Sequence, residues 1–172
     1  MKRILSHKIE AWPIRGSFKI SRGFKTEAAV ILCSISQDGI TGRGECVPYA
    51  RYGETLESVS SQIEAVREQI ETGVVHEEVV GVMPPGAARN AIDCAFWDLN
   101  AKRSGIPAYK LVCGHPPRPV TTATTISLGT ASKMADAAKA VADYPSLKVK
   151  LGGEGDIERI HAVTDAAPES RI

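Results

Sequence analysis

Leu147-Lys148-Val149-Lys150-Leu151 alternates apolar and cationic side chains with period 2. In an extended chain this turns Leu147, Val149 and Leu151 to one face and both lysines to the other. The segments on either side, Ala131 to Asp143 and Asp156 to Ala167, have helical spacing. A strand between two helices belongs to a βα repeat, whose parallel sheet is covered on both faces and offers a charge little water. Two ammonium groups held in such an interior repel each other and lose solvation, and both effects favour the neutral amine that a lysine base needs. The competing reading is an ordinary amphipathic strand with its lysines in water. The pentapeptide alone leaves both open.

The array extends in both directions from this strand. Val120 to Leu128 is Thr-rich and reads as the preceding strand, with Thr130 placed to cap the helix that follows. Gly152-Gly153 closes the lysine strand, and Arg171-Ile172 reads as the start of a third. Two βα units cannot close an eight-stranded barrel. They would leave strand edges and apolar faces unpaired. The expectation is therefore a fragment, or a partial sequence of a longer chain.

The N-terminal part has a different rhythm. Ile4 to Trp12, Ala28 to Ser36 and Ile40 to Val47 read as strands, the last two joined by the turn Gln37-Asp38-Gly39. Between the first two lies Gly16-Ser17-Phe18-Lys19-Ile20-Ser21-Arg22-Gly23. It reads either as a plain surface connection or as a lid with glycine hinges and a cation beside an aromatic. Pro48 to Glu54 is a second loop, aromatic and charged. Thr55 with Ser58 then opens a helix to Thr72, its apolar stripe formed by Leu56, Val59, Ile63, Val66 and Ile70. Ala87 to Ser104 is a further helix whose alanines allow close approach, ended by Gly105. Asp93 and Asp98 read as its surface or local hydrogen-bonding groups.

The composition narrows the function classes. The 172 residues are 43% hydrophobic and carry 21 basic and 20 acidic side chains, for a net charge of +1. The charges are evenly spread, so neither nucleic acid nor a membrane surface is expected as a partner. Met1 to Glu10 has no apolar run suited to a signal peptide, and no later run approaches a membrane span. Cys33, Cys46, Cys94 and Cys113 stand far apart in apolar settings and read as buried free thiols of a cytoplasmic protein. The four histidines form no ligand set.

Three blocks together resemble the dipeptide epimerases of the enolase superfamily, in its muconate-lactonizing-enzyme-like subgroup. They are Gly42-Arg43-Gly44-Glu45-Cys46-Val47-Pro48-Tyr49-Ala50-Arg51-Tyr52-Gly53-Glu54-Thr55, then Pro85 to Leu99 (PGAARNAIDCAFWDL), and Leu147 to Leu151. The likeness is to the L-Ala-D/L-Glu epimerase type and covers the whole chain in order. It implies an α+β capping domain over residues 1–115. Residues 116–172 would then be the first two βα units of a modified (β/α) TIM-like barrel, incomplete in this chain. By the same resemblance Lys150 is the base that takes or returns the α-proton on one substrate face. Lys148 holds charge beside the substrate carboxylate. Thr125 contacts substrate, and Arg22 is the capping-loop arginine.

The implied reaction is a Mg²⁺-dependent 1,1-proton transfer through an enediolate in a small dipeptide, with a link to cell-wall peptides. Sites of this superfamily pair a lysine or histidine base with Mg²⁺ that stabilises the enediolate. The resemblance puts the Mg²⁺ ligands and the second base after Ile172, so no metal ligand is assigned within these residues. Asp156, Glu158 and Asp165 fall in a helix pattern facing solvent and are not promoted to ligands. Cycloisomerisation, o-succinylbenzoate synthesis and N-acylamino acid racemisation share the Lys-x-Lys motif and stay open. So do homo-oligomerisation and a non-catalytic fragment that acts only by association.

Overall fold

The computed structural model describes residues 2–20 and 23–172, with side chains there other than those at 15–17, 19 and 20. The strands are β1 (Ile4–Ile20), β2 (Gly23–Gln37), β3 (Ile40–Cys46), β4 (Thr124–Ile126) and β5 (Leu147–Val149). The helices are α1 (Leu56–Ala65), α2 (Arg67–Thr72), α3 (Val79–Val82), α4 (Ala87–Ser104), α5 (Ala108–Val112), α6 (Ala131–Lys139) and α7 (Asp156–Ala166). The chain divides into two compact units, Met1–Trp12 with Ala28–Pro117, and Pro13–Glu27 with Arg118–Ile172.

A three-stranded sheet has the order β1-β2-β3, and the first unit holds β3 with the parts of β1 up to Trp12 and of β2 from Ala28. β2 and β3 pair antiparallel from Ile31↔Cys46 to Gln37↔Ile40. Asp38 and Gly39 turn the chain at φ 53° and 81°, the two positive values that a tight hairpin twisted like its strands requires. Helix α4 lies directly on β3. A Cβ on Gly42 would stand 2.2 Å from the Ala95 carbonyl oxygen, and one on Gly44 would stand 2.0 Å from that of Ala91. Backbone therefore meets backbone, which only glycine on the strand and alanine on the helix permit. The contact is fastened at its edge by Asp98, whose Oδ2 accepts the Arg43 N–H at 2.8 Å and the Lys102 ammonium at 2.6 Å.

Around this contact Leu5, Ile31, Cys33, Ile35, Val59, Ile63, Ile70, Ile92, Phe96 and Leu99 form one buried core. The expected apolar stripe from Leu56 to Ile70 is real, but the helix breaks at Val66, whose φ −102° and ψ 1° leave the α region. The Thr55–Ser58 capping box is formed at the start of α1. Gly105 ends α4 at φ 68°.

Two expectations need correction here. The segment expected between the first two strands is itself strand over its described residues: β1 continues to Ile20 and β2 begins at Gly23. The two strands are hydrogen-bonded neighbours in the sheet, and β1 runs on through Gly16. The cysteines are all free, yet only Cys33 and Cys46 are buried. Cys94 and Cys113 are exposed, Cys94 on a helix whose other side already contacts the sheet.

In the second unit β4 and β5 pair in parallel. Ser146 forms a further parallel bridge with Arg171, the expected beginning of a third strand. Helices α6 and α7 cover one face of the pair. There Ile126, Leu147, Met134, Ala138, Val163 and Ala167 are buried together, with Val149 packed against them. The strands are shorter than their apolar runs. β5 ends at Val149 and leaves Leu151 45% exposed, against the expectation that it shares the core face. The ladder reaches one bond further, from the Lys150 N–H to the Ile126 carbonyl at 3.0 Å.

Candidate functional site on the lysine face of the second unit

Parallel pairing decides which side chains share a face. Thr125 is the register partner of Lys148, and Ile126 that of Val149. Register partners project to the same side of a sheet, and residues two apart return to it. Thr125, Lys148 and Lys150 therefore lie on one face, while Ile126, Leu147 and Val149 face α6 and α7. Thr125 and Lys148 are exposed and Lys150 is half-buried. The ring of Phe18 lies 5.7 Å from Lys150 Nζ, within cation–π range. An amine beside an aromatic ring, with a second ammonium two residues away and a hydroxyl across the ladder, can receive an anion and exchange a proton with it.

The loop ends behind this face are tied together by α7. Asp156 opens that helix and turns its carboxylate back to the turn after Lys150. It accepts the Gly152 N–H at 3.0 Å and the Gly153 N–H at 2.6 Å. Those N–H groups, the Gly152 bond foremost, hold its carboxyl below the usual range, with Arg159 adding to the effect. Arg159 donates to Asp156 Oδ1 at 2.8 Å, to the Glu154 carbonyl at 2.6 Å and to the Gly129 carbonyl at 2.9 Å. Asp156 is thus half-buried and fully engaged, not the free solvent-facing acid that its helix spacing suggests. The legible signal is an acid at a helix start, three residues after a glycine pair.

In the first unit, the loop from Pro48 to Glu54 contains a 3-10 turn at Ala50–Tyr52 and is anchored by Glu54. One oxygen of its carboxylate accepts the Ala87 N–H at 2.7 Å at the start of α4, and the other accepts the Tyr49 N–H at 3.0 Å. The first turn of a helix has N–H groups without intrahelical partners, and Glu54 accepts one of them. The Tyr49 and Tyr52 side chains stand exposed beside a cleft of about 600 Å³ bordered by Pro85, Gly86 and Asn90.

Of the residues expected at the site, Thr125, Lys148 and Lys150 are brought together, and Arg22 lies outside the described residues. Phe18 joins them from the segment expected as a connection or lid. Asp93 pairs with His76 at 2.7 Å, a local structural bond like that of Asp98. Among the described residues no group of three or more His, Cys, Asp or Glu side chains could hold a metal ion. The described residues therefore do not fit a Mg²⁺ site. Among them, too, no helix is long and apolar enough to cross a membrane.

Residues 4–113 match the family of the mandelate racemase / muconate lactonizing enzyme, N-terminal domain. The chain belongs to this family, within the enolase superfamily. It is 42% identical over 165 residues to the L-Ala-D/L-Glu epimerase of Escherichia coli (strain K12), covering 95% of this chain and 51% of that one. A solved enolase family member from Agrobacterium tumefaciens with homology to dipeptide epimerases, with sodium and L-Ala-L-Glu bound and an ordered loop, superposes with TM-score 0.94. It is 48% identical, and the match takes in 99% of this chain and 52% of that one. A dipeptide epimerase from Enterococcus faecalis V583, complexed with Mg and L-Leu-L-Tyr, superposes with TM-score 0.84 at 27% identity. There the match takes in 96% of this chain and 51% of that one. The chain thus spans about half the length of the relatives it matches. The likeness includes the capping domain, an antiparallel sheet with helices, and the parallel strands that follow it.

Proposed function

We propose that this chain is the N-terminal half of a Mg²⁺-dependent dipeptide epimerase that interconverts L-Ala-L-Glu and L-Ala-D-Glu by 1,1-proton transfer. The observation that carries the proposal is the shared face of Thr125, Lys148 and Lys150, in a chain 42% identical to an L-Ala-D/L-Glu epimerase. Residues 1–115 form the capping domain in this reading, and residues 116–172 the first two βα units of the barrel.

Lys150 takes or returns the α-proton on one face of the substrate. The enediolate left behind carries its charge on the carboxylate, and the Lys148 ammonium offers that charge a counter-ion. The Thr125 hydroxyl holds the substrate from the neighbouring strand, and Arg22 contributes from the capping segment. The second base and the carboxylates that bind Mg²⁺ belong to a C-terminal half of the kind the relatives possess. A cytoplasmic location goes with this assignment.

The test is direct. The full-length protein is incubated with L-Ala-L-Glu and, separately, L-Ala-D-Glu in the presence of Mg²⁺, and the epimer ratio is followed by NMR. Convergence of both samples on one mixture is the expected result. Turnover of an N-acylamino acid with no action on either dipeptide would overturn the substrate assignment.

A further inference from the structure

β4 and β5 are three residues each, and beyond their C-terminal ends the backbone bond described between them runs from Lys150 to Ile126. So short a pair holds its ends loosely unless something else fixes them. The groups that fix them come from α7. The Asp156 carboxylate holds Gly152 and Gly153, two and three residues beyond Lys150. The Arg159 guanidinium holds the Gly129 carbonyl, four residues beyond Thr125, and the Glu154 carbonyl in the turn after β5. Asp156 and Arg159 are bonded to each other at 2.8 Å, with side chains 20% and 22% exposed. One charged pair therefore spans the ends of both strands. Leu128 closes the same junction, since a Cβ on Gly152 would meet its Cδ2 at 2.8 Å. Charge-assisted bonds of this kind are short and directional, suited to fixing geometry.

We infer that Asp156 and Arg159 are positioning residues for proton transfer: by bolting the turn after Lys150 to the turn after Thr125, they set where the Lys150 amine meets the substrate. The inference rests on the reading of Lys150 as a base. Neither residue is assigned contact with substrate. Their effect is to hold the amine within reach of one face of the α-carbon, where a displacement of about 1 Å costs on the order of 100-fold in rate.

The experiment measures exchange of the α-proton for deuterium in D₂O, separately from each epimer of the dipeptide, in full-length Arg159→Met and Asp156→Asn. Arg159→Met is expected to slow exchange about 10–100-fold from the epimer whose proton Lys150 removes. Exchange from the other epimer and KM should stay within a few-fold of wild type, and Asp156→Asn should act in the same sense but less. Equal losses from both epimers, or no loss, would show a merely structural pair and overturn the inference. Should Arg159→Met not fold, Asp156→Asn with Arg159→Lys decides by the same criterion. Lys150→Ala serves as the control. If it leaves exchange from both epimers intact, the base assignment fails and takes this inference with it. If it removes one and Arg159→Met does not slow that one, the positioning role alone fails.

Discussion

The Phe18 ring and the Lys150 ammonium meet at 5.7 Å, so the far end of β1 supplies an aromatic face to the lysine that follows β5. A cation–π contact at an exposed site contributes about 0.5–1 kcal/mol to holding the lysine side chain in place. Phe18→Ala in the full-length protein is expected to lower kcat/KM for the dipeptide about 2–5-fold, with Phe18→Tyr near wild type. Steady-state kinetics of the two variants would check this, and an unchanged Phe18→Ala would remove Phe18 from the site.

The backbone contact between β3 and α4 predicts a steep cost for one methyl group. Gly44→Ala places a Cβ at 2.0 Å from the Ala91 carbonyl oxygen, so strand and helix must separate. Overpacking of this kind costs about 1–3 kcal/mol. Chemical denaturation should show that loss for Gly44→Ala and almost none for Gly81→Ala, where nothing lies within 4 Å.

Asp98 makes stability depend on acid. Burial raises its carboxyl, but the Lys102 ammonium and the Arg43 N–H outweigh this and leave it below its ordinary value of 3.8. A carboxyl depressed on folding stabilises above its unfolded value and loses that contribution as pH falls through its folded one. Asp98→Asn should therefore melt lower than wild type at pH 7, and the gap should narrow towards pH 3. A gap independent of pH would show that the Asp98 charge contributes nothing.

The thiols should divide into two pairs. Burial pushes Cys33 up to about 12, and the neighbouring Cys46 adds to this. Burial foremost pushes Cys46 to about 11, with Glu54 and Glu45 next. Cys113 and Cys94 are exposed, and partial burial, followed by Asp93, raises the Cys94 thiol. An aromatic disulfide reagent at pH 8 should titrate Cys113 quickly and Cys94 more slowly, reaching Cys33 and Cys46 only in denaturant. Fast reaction of all four thiols in the native chain would contradict this packing.

What can be read from the sequence follows from periodicity. Helix α4 is legible to the residue at both ends, because small residues, an apolar stripe and a terminal glycine agree there. The common face of Lys148 and Lys150 follows from alternation alone, while its partner Thr125 needs the register of β4 on β5. The segment from Gly16 to Gly23 reads as a connection or a lid because glycines bracket it, although β1 runs to Ile20 and β2 starts at Gly23. The Asp156–Arg159 pair is hidden for a different reason. Helical spacing turns Asp156 outward, whereas its carboxylate folds back onto the two glycines before it. Local spacing reports a side chain's sector, not the bonds it makes with loops from another strand.

Lys150 is assigned proton transfer on one substrate face only, and α-proton exchange in D₂O by the full-length Lys150→Ala variant tests this most directly. The expected result is that deuterium still enters from one epimer of L-Ala-Glu while exchange from the other disappears. Exchange from both epimers at wild-type rates would contradict the assignment.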